Sequence, residues 1–303
     1  MTSGTVGTAR HRPGVSAAAP AARVETADQK RGKAFTIVSV VVLAIFSVLW
    51  LLPSLWALKT SFTPNAVASL GAGPILKNLN PTLHSYITLL QSGDIWKWYL
   101  SSAITTVIAV ALTVLFASMA AYALSRLQFR GRRLVFLLMI GGIMIPGQVL
   151  IVPIFQELNA VNLLNTYWAV IFPQVPAVIA VFVFKQFFDG IPRDFEESAR
   201  LDGAGFWRSY WSIIMPLSGP VIGAMTIVTA VGVWNNLILP LFVTTNPAIM
   251  TIPVGLATVQ GSYGQRVADI QASSILGALP VVILFLIFQR RIIEGVSGSG
   301  LKG

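Results

Sequence analysis

Long apolar runs dominate this chain and limit what it can become. Six of them, near 36–58, 100–124, 134–156, 166–187, 217–243 and 271–289, each approach or exceed the roughly 20 residues that cross a hydrocarbon core as a helix. Of 303 residues 55% are hydrophobic and only 11% are charged. A soluble domain has no way to bury so many uninterrupted apolar segments. The expected fold class is therefore all-α: a polytopic integral membrane protein with six transmembrane helices. With no cysteine, the chain has no disulfide, thiolate metal site or cysteine nucleophile. Trp96, Trp98 and Tyr99 ahead of the second run, and Tyr167 and Trp168 opening the fourth, suit the headgroup belt.

Charge placement gives the orientation. With the N-terminus inside, the segments 1–35, 125–133, 189–216 and 290–303 hold six, four, three and three Lys/Arg residues. The outer segments 59–99, 157–165 and 244–270 hold three, none and one. That split of 16 against 4 puts both termini in the cytoplasm. It also accounts for the net charge of +10 without a nucleic-acid partner. Residues 1–35 lack an apolar period and read as a disordered basic tail ahead of a six-helix membrane domain over 36–303. The apolar run after the tail is too long for a signal-peptide core.

The spans carry no visible energy source. No Asp, Glu, Arg or His falls within their apolar parts, and Lys185 is near enough to an end to snorkel. Ion-coupled pumps need intramembrane ionisable groups, so a self-sufficient secondary transporter is disfavoured. A membrane-embedded enzyme or sensor is disfavoured too. The two histidines, His11 and His84, lie in the tail and a loop, and no catalytic or metal-ligand cluster is apparent. No GxxxxGK[ST] phosphate loop is present. Pro53, Pro146, Pro153, Pro173, Pro176 and Pro240 interrupt the apolar runs and should bend or break helices there. Gly219 and Gly223, four apart, suit close helix packing. The paired amides of Asn235 and Asn236 need partners inside a span, either between helices or along a polar pathway with Gln148.

One polar stretch, 189–216, stands out. It holds Asp189, Asp194, Glu196, Glu197 and Asp202, five of the eleven acids in the chain. Pro192 and the acids suit the start of a short helix, and Gly203 suits its stop, which predicts a helix near 193–202. Phe195, Ser198, Ala199 and Asp202 recur at helical spacing and share a face. Phe206, Trp207, Tyr210, Trp211 and Ile214 form a second amphipathic segment suited to the membrane interface.

Within this stretch Glu197-Ser198-Ala199, Gly203, Ile213 and Pro216 resemble the EAA loop of the membrane subunits of bacterial ATP-binding-cassette importers. That pattern is Glu-Ala-Ala, three residues, Gly, nine residues, Ile-x-Leu-Pro; Ser198 stands here for an Ala and Met215 for the Leu. The resemblance runs from about residue 36 to 303. It includes AAYALSRLQFRGRR (120–133), MIPGQVLIVPIF (144–155), LLNTYWAVIFP (163–173), TIPVGLATVQGSYG (251–264) and FQRRIIEGVSGSGLKG (288–303). These segments are most similar to the second permease subunit of the maltose-type sugar importers, with a type I importer permease fold. The resemblance implies that Phe195, Glu197, Ser198, Ala199, Asp202 and Gly203 form a coupling helix and turn that dock on an ATPase. It implies that Glu294, Lys302 and Gly303 belong to a C-terminal extension toward the ATPase pair. Gly261, Ser262, Tyr263 and Gly264 would face a sugar-binding protein. Where the family commonly reads Trp-Asn-Asp-Phe-x-x-Pro, this chain has Trp234, Asn235, Asn236 and Leu237 ahead of Pro240, so the family's acid is an amide here. The implied partners are a second permease, an ATPase homodimer, an extracytoplasmic sugar-binding protein, membrane lipid and a sugar. The chain itself would bind no cofactor, because ATP and Mg would sit on the ATPase subunits, and it would do no covalent chemistry. Deleting residues 1–35 should leave substrate uptake unchanged at normal membrane levels; lost uptake at normal levels would contradict the passive reading of the tail.

Overall fold

The computed structural model describes residues 27–68, 81–91, 94–263 and 266–297, with side chains over 35–68, 81–91, 94–258 and 266–288. Every regular element among the described residues is helical. Two units are distinguished, Met1–Ser54 and Leu55–Gly303. The first contains most of α1 (Ala27–Ser61), whose backbone is already helical nine residues before the expected start of the first span. From Phe35 to Leu52 this helix is apolar on every side, the pattern of a segment surrounded by lipid. Pro53 is accommodated within it.

The second unit follows with α2 (His84–Gln91), α3 (Asp94–Arg126), α4 (Arg132–Ile143), α5 (Gly147–Ala160), α6 (Tyr167–Gln174) and α7 (Val178–Asp189). Then come the short α8 (Asp194–Leu201), α9 (Phe206–Leu217), α10 (Gly219–Trp234), α11 (Ile238–Val243), α12 (Ile252–Tyr263) and α13 (Val267–Ser297). Three stretches, Phe35–Ser61, Asp94–Arg126 and Val267–Phe288, are long and apolar enough to cross a membrane unbroken. Three bent pairs complete the set: α4 with α5 at 93°, α6 with α7 at 46° and α9 with α10 at 78°. Counting each pair as one span gives six.

The span expected over 134–156, with Pro146 named as an interruption, is sharply broken there. Met144 caps α4, and Pro146 takes an extended backbone before α5. Proline removes a donor and pushes its predecessor out of the helical region. Between α6 and α7 the residues before Pro173 and Pro176, Phe172 and Val175, stay helical, and the chain turns extended only at Ala177. The fifth apolar run, expected over 217–243, is helical from Gly219 to Trp234, opens at Asn235–Leu237 and resumes as α11.

Helix α3 is the post on which the rest is assembled. It packs along α7, α10, α12 and α6. One ridge explains why so many helices fit. Ser101, Thr105, Ala109, Thr113, Ala117, Ala121 and Ser125 recur every four residues, and all are buried. Small side chains let backbones approach where lipid supplies no hydrophobic drive between helices. Of its hydroxyls, Thr105 Oγ1 donates locally to the Ser101 carbonyl at 2.8 Å, whereas Thr113 Oγ1 reaches the Val175 carbonyl at 3.4 Å and Ser125 reaches Asp189, which ties neighbouring elements to the ridge. Phe184 and Phe188 of α7 and Met225 of α10 fill the space beside Ala117 and Ala121.

At the other end of α3, Trp98 is buried, and its Nε1 donates to the Pro247 carbonyl at 3.1 Å. Its ring lies over Gly255 of α12; a Cβ there would sit 2.1 Å from the ring. Gly219 shows no such constraint, since a Cβ would meet nothing within 4 Å, so the close packing expected of it does not occur within this chain. Overpacking of this kind costs about 1–3 kcal/mol or more. Gly255→Ala should therefore lower the thermal unfolding midpoint in detergent, and Trp98→Leu in the same chain should recover part of the loss; an unchanged midpoint in Gly255→Ala would refute the close approach.

Candidate functional site

Helix α8 is only Asp194–Leu201, too short to be stable alone, so its ends and contacts must hold it. Asp194, Glu196 and Glu197 lie in its first turn, where the helix dipole favours negative charge. Its C-terminus closes in a Schellman arrangement. Ala204 N–H donates to the Ala199 carbonyl at 2.9 Å and Gly203 N–H to the Arg200 carbonyl at 3.0 Å. Gly203 has φ +81°, a conformation that side chains disfavour.

The helix is fastened to the spans through one acid. Glu196 points inward, and its Oε2 lies 3.4 Å from Nε of Arg126, the last residue of α3. Only 3% and 4% of the Arg126 and Glu196 side chains are exposed. Tyr122, one turn earlier on α3, donates its hydroxyl to Glu196 Oε1 at 3.0 Å. The Arg126 Nη2 group also donates to the carbonyls of Phe188 and Ile191, the latter at 2.7 Å. Those carbonyls lie at the C-terminal end of α7, where helix acceptors have no partner in the helix. A single guanidinium therefore joins α3, the end of α7 and α8. Beside it Asp189, the last residue of α7, accepts from Ser125 at 2.5 Å and from Lys185 at 2.6 Å. The snorkelling expected of Lys185 is replaced by this ion pair, with its Nζ also 5.0 Å from the centre of the Phe136 ring.

Helix α9 is tied to the same post. The hydroxyls of Tyr210 and Ser118 are 2.8 Å apart, and the Tyr122 and Tyr210 rings lie 5.3 Å apart. The amphipathic segment is divided by a π-helical turn over Tyr210–Ile214. Tyr210 and Ile214 enter the core, whereas Phe206, Trp207 and Trp211 stay exposed.

The outer surface of α8 carries Phe195, Glu197, Ser198 and Asp202, all exposed, while Ala199 is half-buried against the body. Leu201, absent from the expected set, is the most exposed at 91%. A polar cleft of about 340 Å³ runs between α8 and the end of α3, lined by Arg126, Gln128, Arg193, Glu196, Glu197 and Arg200. An apolar pocket of about 390 Å³ adjoins it, formed by Met119, Tyr122, Leu127, Phe206, Trp207 and Tyr210. This end thus offers a projecting apolar and acidic ridge with a polar cleft beside it, and an apolar pocket between α3 and α9 adjoining that cleft.

The remaining expected residues divide. Gln148 and Asn236 line one cleft of about 290 Å³ together with Gln174, which sequence reasoning missed. Asn236 Nδ2 donates to Gln174 Oε1 at 2.9 Å. Trp234 and Asn235 do not line this cleft. Trp234 Nε1 donates to the Gly277 carbonyl at 3.3 Å, and Asn235 is the exposed cap of α10. Gly261, Ser262 and Tyr263 close the α12 backbone and Glu294 lies on the α13 backbone, but their side chains fall outside the described residues, as do Gly264, Lys302 and Gly303 altogether. Among the described residues, no group of three His, Asp or Glu side chains is placed to hold a metal.

Arg126, Tyr122 and Glu196 were also missed as a unit. Arg126 had been counted with the loop 125–133, yet the helix extends to include it and buries it. The available signal was a tyrosine one turn before an arginine at the end of an apolar run, with two adjacent acids in the only acidic loop.

Comparison with known proteins places this arrangement. The model of the family described as "Binding-protein-dependent transport system inner membrane component" matches residues 113–291. The arabinooligosaccharides transport system permease protein AraQ of Halalkalibacterium halodurans is 39% identical over 223 residues, covering 73% of this chain and 80% of that protein. The trehalose/maltose transport system permease protein MalG of Thermococcus litoralis is 30% identical over 264 residues, covering 86% and 94%. Among solved structures, a chain of a bacterial ABC transporter involved in the import of the acidic polysaccharide alginate superposes with a TM-score of 0.70 at 22% identity, over 85% of this chain and 96% of that one.

Removing one partner of a buried ion pair costs about 3–5 kcal/mol, against about 0.5 kcal/mol or less for an exposed substitution. Glu196→Ala should therefore destabilise the protein strongly in detergent unfolding, whereas Glu197→Ala should leave the midpoint nearly unchanged. Equal effects would show that the two acids are not divided between inside and outside.

Proposed function

The chain belongs to the family of binding-protein-dependent transport system inner membrane components, and from that premise we propose that it is the permease subunit of an ATP-driven importer of sugars or oligosaccharides. The relatives named for arabinooligosaccharide and trehalose/maltose transport support the cargo class. The observation that carries the mechanism is the buried Arg126–Glu196 pair, which holds α8 on the ends of α3 and α7 while its other face projects.

A short helix held this way works as a handle. Phe195 and Leu201 give it apolar anchors, Ser198 allows close approach, and Glu197 presents an exposed charge to a cation on the partner. Force applied by a pair of ATPase subunits closing on ATP would pass through α8 into α3 and α7 together. The proline breaks at 144–146 and 175–177 divide the neighbouring spans into segments that can reorient as units, as alternating access between inward- and outward-open states requires. The permease binds no nucleotide and performs no covalent step; ATP and Mg are held by the ATPase subunits.

Along the spans, the amides of Gln148, Gln174 and Asn236 offer donors and acceptors matched to sugar hydroxyls in an otherwise apolar cleft. The working unit is this chain with a second permease, two ATPase copies and an extracytoplasmic sugar-binding protein, in a bacterial cell membrane with both termini cytoplasmic. The end of α12 from Gly261 faces the binding protein and the C-terminal segment 294–303 reaches the ATPase pair.

Two substitutions test the handle. Glu197→Lys reverses the exposed charge, and Gly203→Pro places a residue locked at negative φ where the backbone needs +81°. Both should reduce ATPase stimulation by the assembled transporter at least about tenfold, roughly 1.4 kcal/mol at an interface, while the spans still insert. Normal substrate-stimulated hydrolysis in both variants would remove the coupling role of α8.

A further inference from the structure

We propose that the groove where α3 ends and α4 begins binds the phosphate headgroup of an anionic phospholipid, with the acyl chains lying along α4. The groove has a volume of about 560 Å³ and is lined by Gln128, Phe129, Arg132, Arg133, Phe136 and Lys185, among others. It meets the cleft beside α8 at Gln128 and is otherwise lined by different residues.

Its charge is one-sided. Arg132, Arg133 and Lys185 line it, Arg130 lies in the turn just before them in the chain, and Asp189 is the carboxylate paired with Lys185. Asp189 is already engaged by Lys185 and Ser125. Among the described residues no acid forms an ion pair with Arg130, Arg132 or Arg133. Arg132 donates Nη1 to the Leu127 carbonyl at 3.3 Å, which fixes the guanidinium while other N–H donors remain. Arginine pairs offer phosphate the planar, bidentate donors it accepts best.

The depth is right for a headgroup. The unbroken α3 span ends at Arg126, and the 127–131 turn follows directly, so the arginines stand where the apolar helix surface stops. A soluble anion would need only the cations. This groove continues into an exposed apolar face formed by Leu134, Leu137 and Leu138 of α4. Phe136, stacked on Phe182 of α7 at 6.4 Å, forms its floor. Cations at the membrane surface beside an open apolar helix face match a ligand that is anionic at one end and apolar along its length.

The test is native mass spectrometry of the full chain in neutral detergent with equimolar phosphatidylglycerol and phosphatidylcholine. Arg133 is exposed, so Arg133→Gln probes the groove without disturbing packing, and Arg132→Gln/Arg133→Gln removes both cations of the α4 first turn. Phosphatidylglycerol should be retained about tenfold over phosphatidylcholine. Arg133→Gln should reduce that preference, the double variant should abolish it, and excess inorganic phosphate should not displace the lipid. Equal retention of the two lipids, or a preference unchanged in the double variant, would overturn the assignment. So would complete displacement by phosphate, which would mark a soluble-anion site. Unchanged lipid binding with loss of co-purifying ATPase in Arg133→Gln would reassign the groove to protein docking.

Discussion

The buried pair of Arg126 and Glu196 is the contact on which the rest depends. Taking two charges out of water is expensive, and their attraction repays it only where further hydrogen bonds complete the shell. Here Tyr122 serves the carboxylate and the Phe188 and Ile191 carbonyls serve the guanidinium, while Arg126 Nε faces Glu196 Oε2 at 3.4 Å without a hydrogen bond of its own. An apolar cluster could hold α8 equally firmly, but it would not fix its register. The pair places a helix of barely two turns at one rotation, so that Glu196 is inside and Glu197 outside. It does so at the meeting point of two spans, which are themselves held together along the small-residue ridge of α3.

Stiffness and breakage are distributed unequally. Helix α3 runs 33 residues without interruption, and its ridge of Ser, Thr and Ala lets α7 and α10 come close. The elements around it are broken at Met144–Pro146, at Val175–Ala177 and at Ser218. Two of the three breaks have a proline at the break or just before it; the third, Ser218, lies between Pro216 and Pro220. A rigid post with segmented neighbours allows a push at one end to be delivered as rotation of whole segments, since packed interfaces rearrange between discrete states. The cleft of Gln148, Gln174 and Asn236 lies beside one of those breaks.

Much of this was legible in the chain. Uninterrupted apolar length marked the spans, and Pro146 and Pro176 marked where helices give way, because proline acts through its own covalent geometry; Pro53, Pro153, Pro173 and Pro240, read the same way, lie within helical segments. Gly203 marked the end of α8 for a similar local reason. What was not legible lay in contacts between distant residues. An amphipathic reading looks for an apolar inward face, and α8 has an acid there, so Glu196 read only as one of the first-turn acids beside Glu197. Arg126, at the end of an apolar run, looked like a topology signal and proved to be a buried clamp. Gln174 gave no signal until the bend between α6 and α7 brought it to Asn236.

The most direct measurement is the distance between spin labels on Leu201, at the tip of α8, and Gln186, in the last turns of α7. The chain has no native cysteine, so both labels can be introduced cleanly. In the assembled transporter the account predicts one narrow distance, the same with and without ATP, that broadens when Glu196 is replaced by Ala. A distance that shifts between nucleotide states in the unmodified chain would show that α8 slides against the spans, contradicting its role as a rigid handle.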